Sequence, residues 1–256
     1  MIPIEESTLP FLRGEKLDTD LKFRIADPRA PPVADLDVIL DRFSLLASLC
    51  CGKRVLHLGC CDHLPVISEK RRDGVWLHDH LVASADQCVG IDIDTKAVAY
   101  LTEQLSLENI ICHDMTQPPL PEQIADEAWD YLVAGEILEH IPSPADFLSR
   151  LTRTLSGRVK AIVLTVPNAL KWGNHKNARR GLECINSDHR FSFTPYTLAK
   201  VVCDSGLIPE SFAFCMCEPV EKLRGLRNFW RRRRFTRYPA FRDNVVLTAW
   251  FPHVEG

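Results

Sequence analysis

Two stretches decide the fold of this chain: Val55-Leu56-His57-Leu58-Gly59-Cys60-Cys61-Asp62-His63 and Val89-Gly90-Ile91-Asp92-Ile93-Asp94. Each begins as a short apolar run and ends in small or acidic residues, as a buried parallel strand does where a ligand binds. The segment 64–87 between them has room for one or two crossover helices, which predicts a strand–helix–strand unit. Gly59 permits close approach of the backbone to a ligand, and Asp92 can accept two ribose hydroxyls. The region therefore predicts a nucleotide-like ligand.

Further apolar runs continue the alternation of strands with helices along the chain. Strands are predicted at 55–59, 88–93, 109–112, 129–134, 161–166, 212–217 and 245–251. Helices are predicted at 35–49, 64–74, 75–85, 96–105, 145–155 and 194–206, and a polar loop at 171–188. This order predicts an α/β fold with a doubly wound, mostly parallel seven-stranded sheet and a terminal antiparallel strand pair.

The domain organisation follows from the same reading. Prolines prevent a continuous helix near the start, so residues 1–34 are predicted to form an N-terminal arm. Residues 35–256 are predicted to form one domain with an arginine-rich insert at 219–243.

The composition is that of a soluble globular protein, with 46% apolar and 25% charged residues. No apolar run approaches the ~20 residues that span a bilayer, and the first residues lack the basic and apolar regions of a signal peptide. These features predict a cytoplasmic protein. The ten cysteines include the adjacent pairs Cys50-Cys51 and Cys60-Cys61 rather than zinc-knuckle spacing. Reduced, structural thiols are therefore favoured over a zinc site.

The charge is unevenly distributed. Residues 222–242 contain nine Lys or Arg and no acid, whereas the rest of the chain has 22 basic and 34 acidic residues. The run Arg231-Arg232-Arg233-Arg234 is interleaved with Phe229, Trp230, Phe235 and Tyr238. Basic and aromatic residues together favour an anionic partner, such as RNA, a phosphorylated substrate or a membrane surface. An amphipathic lid whose charges face water remains the alternative.

A second group of polar residues follows the predicted fourth strand. Glu136, Glu139 and His140 would share one face if residues 135–140 were helical, and they would lie at the carboxyl end of the strand. His189 lies further on, in Ser187-Asp188-His189-Arg190-Phe191. Because substrates bind in the crevice beyond the carboxyl ends of parallel strands, these residues are candidates for catalysis.

The series of motifs resembles class I S-adenosylmethionine-dependent methyltransferases. The resemblance rests on a glycine turn after the first strand, an acid after the second, Asp114-Met115 after the third and Glu-Ile-Leu-Glu-His after the fourth. It covers about residues 52–206. The chain departs from the family at His57, where an acid is usual, and at Cys61 and His63, where glycines are usual. Glycan-cluster methyltransferases are similar here, with Asp62-His63 and Trp76-Leu77-His78.

The resemblance implies that S-adenosylmethionine is the cofactor. Asp92 would then accept from the ribose diol, Asp114 from the adenine amino group, and Met115 would pack on the adenine ring. The implied cofactor-binding residues are His57, Gly59, Cys60, His63, Asp92, Ile93, Asp114, Met115 and Glu136.

Two subgroups share the Glu-x-x-Glu-His pattern: ubiquinone-pathway O-methyltransferases and small-RNA 3′-terminal 2′-O-methyltransferases. The second also has a later His in an Asp-His-basic-Phe context. The resemblance to them implies a divalent metal (Mg, Mn or Zn) whose ligands are Glu136, Glu139, His140 and His189. Without metal, His140 or His189 is the candidate general base, and the implied catalytic residues are Glu136, His140 and His189.

The function predicted from the sequence is methylation of a hydroxyl on a small molecule or on a sugar of a glycan precursor. Methylation of an RNA-terminal ribose is the alternative, favoured by the segment 188–191 and the arginine-rich insert. The acidic remainder of the chain disfavours a long nucleic acid. A third alternative, from a different class, is a non-catalytic nucleotide-binding module, which the replaced glycines suggest.

Overall fold

The computed structural model describes residues 1–4, 23, 25, 40–62, 64–217, 219 and 228–252. Its eight strands are β1 (Ile2–Pro3), β2 (Arg54–Leu58), β3 (Gln87–Asp92), β4 (Ile110–Cys112), β5 (Trp129–Gly135), β6 (Val159–Pro167), β7 (Ile208–Cys215) and β8 (Asn244–Trp250). Its α-helices are α1 (Arg42–Cys50), α2 (Leu64–Arg72), α3 (Leu77–Ser84), α4 (Thr95–Ala99), α5 (Glu122–Ala125), α6 (Pro144–Leu155), α7 (Trp172–Ala178), α8 (Pro195–Asp204) and α9 (Phe229–Arg237). None of the helices within these ranges has the length and apolarity to cross a bilayer.

The strands form one sheet in the order β1-β7-β8-β6-β5-β2-β3-β4. The central strands β6, β5, β2, β3 and β4 are parallel, whereas β8 pairs antiparallel with both β6 and β7. The predicted doubly wound, mostly parallel sheet with a terminal antiparallel pair is therefore confirmed. The difference is one extra strand, because Ile2 and Pro3 add β1 to the edge of β7.

Helices cover both faces of the sheet, and alternate residues of each strand enter the two cores. Leu56 and Leu58 pack with α6 and α8 on one face, whereas Val55 packs with α1 and α3 on the other. Local signals fix the helix starts. Thr194 and Thr197 form a reciprocal capping box at α8, and Asp94 caps α4 by accepting from the N–H groups of Lys96 and Ala97.

The structure corrects three local predictions. Residues 135–140 do not form an α-helix: Glu136 has a left-handed φ of 56°, and only one 3-10 turn, Leu138–His140, follows. The predicted polar loop at 171–188 contains α7, and the helix predicted at 96–105 continues from α4 into a π turn, Tyr100–Gln104. The arginine-rich insert contains α9. Most of the predicted arm at 1–34, the first part of the helix predicted at 35–49 and residues 220–227 of the insert lie outside the described residues.

Candidate active site

The polar residues predicted from the sequence lie along one edge of the sheet, at the carboxyl ends of the parallel strands. From β2 the chain builds outward to β3 and β4 on one side, and β5 and β6 lie on the other. The direction of winding therefore changes between β2 and β5. Such a switch point leaves a crevice beyond the strand ends, which is where ligands bind in open α/β sheets.

The turn after β2 requires a glycine for two reasons. Gly59 has a φ of +67°, and a Cβ at this position would lie 2.7 Å from Cδ1 of Ile137. The next residue, Cys60, is 2% exposed, and its carbonyl accepts a hydrogen bond from the indole N–H of Trp76. The turn is thus held from both sides, with its backbone at the crevice.

Asp92 at the end of β3 is held by the same turn. Its Oδ2 accepts from the backbone N–H of Cys61 at 2.9 Å, and its Oδ1 accepts from the N–H of Asp94 at 3.0 Å. The thiols of Cys60 and Cys61 and the Asp92 carboxylate also lie within 4.8 Å of one another, close enough to share a metal ion. All ten cysteines are free thiols.

The ends of β3 and β4 present one apolar and one acidic side chain to solvent. Ile93 is 71% exposed, and the Asp114 carboxylate is exposed, with Oδ1 accepting from the N–H and the hydroxyl of Thr116. Met115, in contrast, is 1% exposed within the core. The apolar surface free for a flat ring at this edge therefore belongs to Ile93. His63, also predicted here, lies outside the described residues.

His57 is turned into the protein, where it contacts a second histidine. Its Nδ1 lies 3.1 Å from Nδ1 of His78, and Nε2 of His78 lies 3.2 Å from the side-chain nitrogen of Asn109. Because the Asn109 amide donates, Nε2 of His78 accepts and its Nδ1–H donates to His57. Burial lowers the pKa of His78 to about 4, and burial together with His78 lowers the pKa of His57 well below its usual range.

Glu136 leaves the end of β5 in its left-handed conformation and is fixed by residues from three other elements. Its Oε1 accepts from the side-chain amide of Asn244 at 2.6 Å and from the hydroxyl of Thr165 at 3.2 Å. The guanidinium of Arg42 lies 3.8 Å from the same oxygen. The carboxylate is therefore positioned at the junction of β5, β6, β8 and α1.

Glu139 is fully buried, and neither carboxylate oxygen has a hydrogen-bond partner among the described residues. Burial, and secondly the Glu136 carboxylate, raise the pKa of Glu139 to about 8. Ligand atoms of Glu139, His140 and His189 lie within 4.8 Å of one another, and Glu136 lies outside this group. A buried carboxylate without a donor is costly, so this group suits a cation or a proton.

The two histidines are oriented by each other and by one acid. Nδ1 of His140 lies 2.8 Å from Oδ2 of Asp188, and the His140 and His189 rings meet edge to face at 4.7 Å. The Asp188 contact therefore occupies Nδ1 of His140 and leaves Nε2 for another ligand. Burial and the neighbouring His140 lower the pKa of His189, which favours its neutral, proton-accepting form.

A cavity of about 940 Å³ opens beside these groups. Glu136 and His189 line it, together with residues of α7, of the segment 182–192, of the start of β8 and of α9. Amide side chains are frequent in its wall: Asn168, Asn174, Asn177, Asn186 and Asn244. The volume suits a small organic molecule with several polar groups.

Comparison with known proteins identifies the family. A family model described as a methyltransferase domain matches residues 74–163. A ubiquinone biosynthesis O-methyltransferase of Burkholderia multivorans is 30% identical over an alignment of 192 positions, and the match covers 63% of this chain and 73% of the relative. The chain belongs to the class I S-adenosylmethionine-dependent methyltransferases.

Two other similarities are weaker. A Mycobacterium tuberculosis protein named as an S-adenosylmethionine-dependent methyltransferase is 23% identical over 166 residues, covering 65% of this chain and 53% of its own length. The crystal structure of the small-RNA methyltransferase HEN1 superposes with a TM-score of 0.52 at 14% identity, covering 91% of this chain and 27% of that one. The likeness to HEN1 concerns the fold alone.

Several contacts in this methyltransferase's crevice were missed by the sequence analysis. Asn244 and Arg42 approach Glu136 from positions 108 and 94 residues away in the chain, and Asp188 reaches His140 across 48 residues. The helix α7, which lines the cavity, lies in a segment that was predicted to be a loop. No local pattern marks such contacts, because they depend on how β8, α1 and the 179–192 segment fold onto the sheet.

Proposed function

We propose that this S-adenosylmethionine-dependent methyltransferase methylates a hydroxyl oxygen of a small molecule or of a sugar in a glycan precursor. The observation that carries the proposal is the adjacency of the polar cavity to His189 and Glu136 at the carboxyl ends of β5 and β6. The O-methyltransferase named for the Burkholderia relative supports an oxygen acceptor.

The cofactor is assigned to the ends of β2, β3 and β4. Asp92 retains lone pairs for the ribose diol after accepting two backbone hydrogen bonds. Gly59, whose positive φ and missing Cβ permit the turn after β2, would place that turn beside the methionine part. Ile93 offers an exposed apolar surface for one face of adenine, and Asp114 an exposed carboxylate for its amino group. His57 and Met115 would support this site from within the core rather than touch the ligand.

Methyl transfer is an in-line displacement, so holding the acceptor oxygen at about 3–3.5 Å from the sulfonium methyl supplies much of the rate. The amide-lined cavity would orient the acceptor, and Glu136, fixed by Asn244, would accept a hydrogen bond from it. When no metal is bound, His189, which lines the cavity, would remove the hydroxyl proton.

A divalent metal also fits the residues present. Glu139 has two buried oxygens without donors, and His140 and His189 offer imidazole nitrogens beside it. These three residues would hold the ion, with Glu136 outside their group, and a bound ion would lower the pKa of a coordinated hydroxyl. The metal therefore belongs to the proposal, in a set smaller than the four ligands predicted from the sequence.

Calorimetry with S-adenosylmethionine, followed by screening of hydroxylated acceptors with labelled donor, tests the proposal. We expect cofactor binding that does not need metal, and label in an ether-linked methyl group of a small product. Methylation of nitrogen or carbon would contradict the acceptor assignment. Adding Mg²⁺, Mn²⁺ or Zn²⁺ to chelator-treated enzyme, with Glu139→Gln as the matched variant, tests the metal.

The alternative acceptor predicted from the sequence, an RNA-terminal ribose, keeps one supporting observation. Asp188 and His189 of the segment 188–191 both lie at His140, so that motif does join the Glu-x-x-Glu-His residues. Offering a short RNA with a free or a blocked 3′-terminal 2′-hydroxyl decides between the two acceptors. The non-catalytic module would require cofactor binding without turnover on either.

A further inference from the structure

The rim of the cavity carries the most exposed aromatic residues of the described chain beside its densest basic run. In α9, Trp230 is 72% and Phe229 is 43% exposed, and Tyr238 directly after the helix is 53% exposed. Arg231 and Arg233 are exposed in the same helix. No carboxylate among the described residues pairs with any arginine of 231–234. Exposed aromatics beside unbalanced positive charge are the pattern of a surface made for an anionic, partly apolar partner.

The helix has an inward and an outward face. Phe235 is buried against Met216, and Arg234 stacks on Trp172 of α7 with 4.0 Å between the guanidinium carbon and the ring centre. These contacts fix α9 on the rim. Helical spacing then places Phe229, Trp230 and Arg233 together on the outward face, since they are three and four residues apart.

A second segment of the cavity lining also has exposed apolar residues. Leu182 and Ile185 line the cavity and are nevertheless 57% and 50% exposed. The neighbouring residues Arg179 and Arg180 are also exposed. The cavity lining thus includes exposed apolar residues of the segment 182–185 and the basic Arg231 of α9, together with the acids Glu183 and Asp243 and several amides.

We infer that this rim docks on an anionic lipid bilayer. Trp, Phe, Leu and Ile side chains enter the boundary between headgroups and acyl chains, while arginines bind the negative surface. RNA is the less suitable partner, because the chain outside 222–242 has 34 acidic and 22 basic residues and would repel a long polyanion. A flat membrane touches only the rim and avoids the acidic remainder.

Docking has a consequence for the substrate that rests on the proposed function. The mouth bordered by Leu182, Ile185 and Arg231 would face the membrane, and an acceptor hydroxyl carried on an amphiphile could enter the cavity from the headgroup layer. Docking itself needs no methyl transfer, so the two ideas can fail separately.

The experiment measures partition of the full chain onto vesicles of phosphatidylcholine with 0 or 30% phosphatidylglycerol, at 50 and 500 mM salt. We expect binding to the anionic vesicles only, with a steep loss at high salt. Two double variants, Phe229→Ala with Trp230→Ala and Arg232→Glu with Arg233→Glu, should each lower the partition coefficient at least tenfold.

The controls are matched variants at the other end of the sheet. Trp250→Ala removes an exposed tryptophan at the far end of β8, and Arg150→Glu with Arg153→Glu reverses two exposed arginines of α6. Each should bind vesicles within twofold of the wild type. Circular dichroism and S-adenosylmethionine affinity, measured on every variant, separate loss of docking from loss of the fold or of the cofactor site.

Three outcomes would overturn the inference. They are equal binding to uncharged vesicles, no vesicle binding by protein that still binds cofactor, and binding that both rim variants retain. Tight, salt-dependent binding of a 20-nucleotide single-stranded RNA in place of vesicles would assign the rim to nucleic acid instead.

Discussion

At the ends of β2, β3 and β4 the polar groups are held by neighbours on the same or the adjacent strand, whereas at the ends of β5 and β6 they are held by distant parts of the chain. We call the first region, Gly59 to Asp114, the β2–β4 half, and the second, Glu136 to His189, the β5–β6 half. Both oxygens of Asp92 accept a backbone N–H. In contrast, neither oxygen of Glu139 has a partner among the described residues.

The two regions therefore differ in whether their polar groups are already satisfied before a ligand binds. The β2–β4 half is complete without a ligand, because its backbone hydrogen bonds already fix the acid. The β5–β6 half contains the buried carboxylate of Glu139. The free-energy cost of its burial can be offset by a bound cation, by a proton or by a hydrogen-bond donor of the substrate. The β2–β4 half is therefore suited to binding the same cofactor in every turnover. The β5–β6 half is suited to the chemical step, in which charge and protons move.

The largest expected effect is on turnover, and it distinguishes the β5–β6 half from the β2–β4 half. Replacing His189 by Asn removes the proposed base, so the turnover rate should fall by about 10²- to 10⁴-fold, while cofactor affinity stays within twofold of the wild type. Enzyme assays and calorimetry measure the two quantities. His175→Asn, an exposed histidine of α7, is the matched control. If His189→Asn loses cofactor binding as well, the halves are not independent.

The second effect tests the buried histidine pair beneath the β2–β4 half. In the unfolded state His78 binds a proton near pH 6.5, whereas in the folded state its pKa is about 4. Stability from this residue is therefore complete above pH 6.5 and is lost as the pH falls to about 4. The loss amounts to about 2 kcal/mol by pH 5 and about 3 kcal/mol by pH 4.

Denaturant unfolding at pH 7.5 and pH 5 measures this loss. His78→Gln should show a shallower dependence than the wild type and should keep the contribution of His57, whose pKa is also lowered. His80→Gln is the control, because His80 is a neighbouring histidine whose Nε2 contacts the carbonyl of Gly74 instead of the buried pair. Equal slopes for wild type and His78→Gln would contradict the assignment of the low pKa to this ring.

The third prediction concerns Asp92, the proposed ligand of the ribose. Asp92→Asn keeps the shape but removes the charge, and hydrogen bonds to charged groups contribute about 1.5–3 kcal/mol. The S-adenosylmethionine dissociation constant should therefore rise by roughly 10- to 100-fold. Calorimetry provides the value, with the exposed Asp86→Asn as control. An unchanged constant would remove Asp92 from the cofactor site.

The smallest effect tests the long-range support of Glu136. Asn244→Ala deletes a donor 2.6 Å from the Glu136 carboxylate, but Thr165 and Arg42 still hold the same oxygen, so a loss of about 1 kcal/mol and a roughly three- to tenfold fall in turnover are expected. Cofactor affinity should not change, because the contact belongs to the β5–β6 half. Asn244→Asp, which keeps the size and places a second acid beside Glu136, should be worse than alanine. A larger effect on cofactor affinity than on turnover would contradict this division.

The same division explains what the sequence could predict. The strands of the β2–β4 half were placed within one or two residues, because the apolar runs and the glycine turn are local signals. For that reason Asp92 and Asp114 were correctly predicted to lie at the carboxyl ends of their strands. His57 was assigned to the ligand from its place in the motif, yet its side chain faces inward to His78, which only the packing of α3 decides.

In the β5–β6 half the residue types were predicted but their arrangement was not. Helical spacing suggested one face for Glu136, Glu139 and His140, whereas the left-handed Glu136 ends that periodicity. Asn244, Arg42 and α7 carry no local signal for their place in the site, since their contacts close loops of tens of residues.

The backbone conformation of Glu136 lowers the free energy of unfolding of the protein. A φ of 56° is easy for glycine and unfavourable by about 1–2 kcal/mol for other L-residues. The chain nevertheless has a carboxylate at this corner of the sheet rather than the residue that would relax it. Glycine here would relieve the backbone strain but would remove the carboxylate that we propose contacts the acceptor hydroxyl, so stability and the proposed activity make opposite demands on this position.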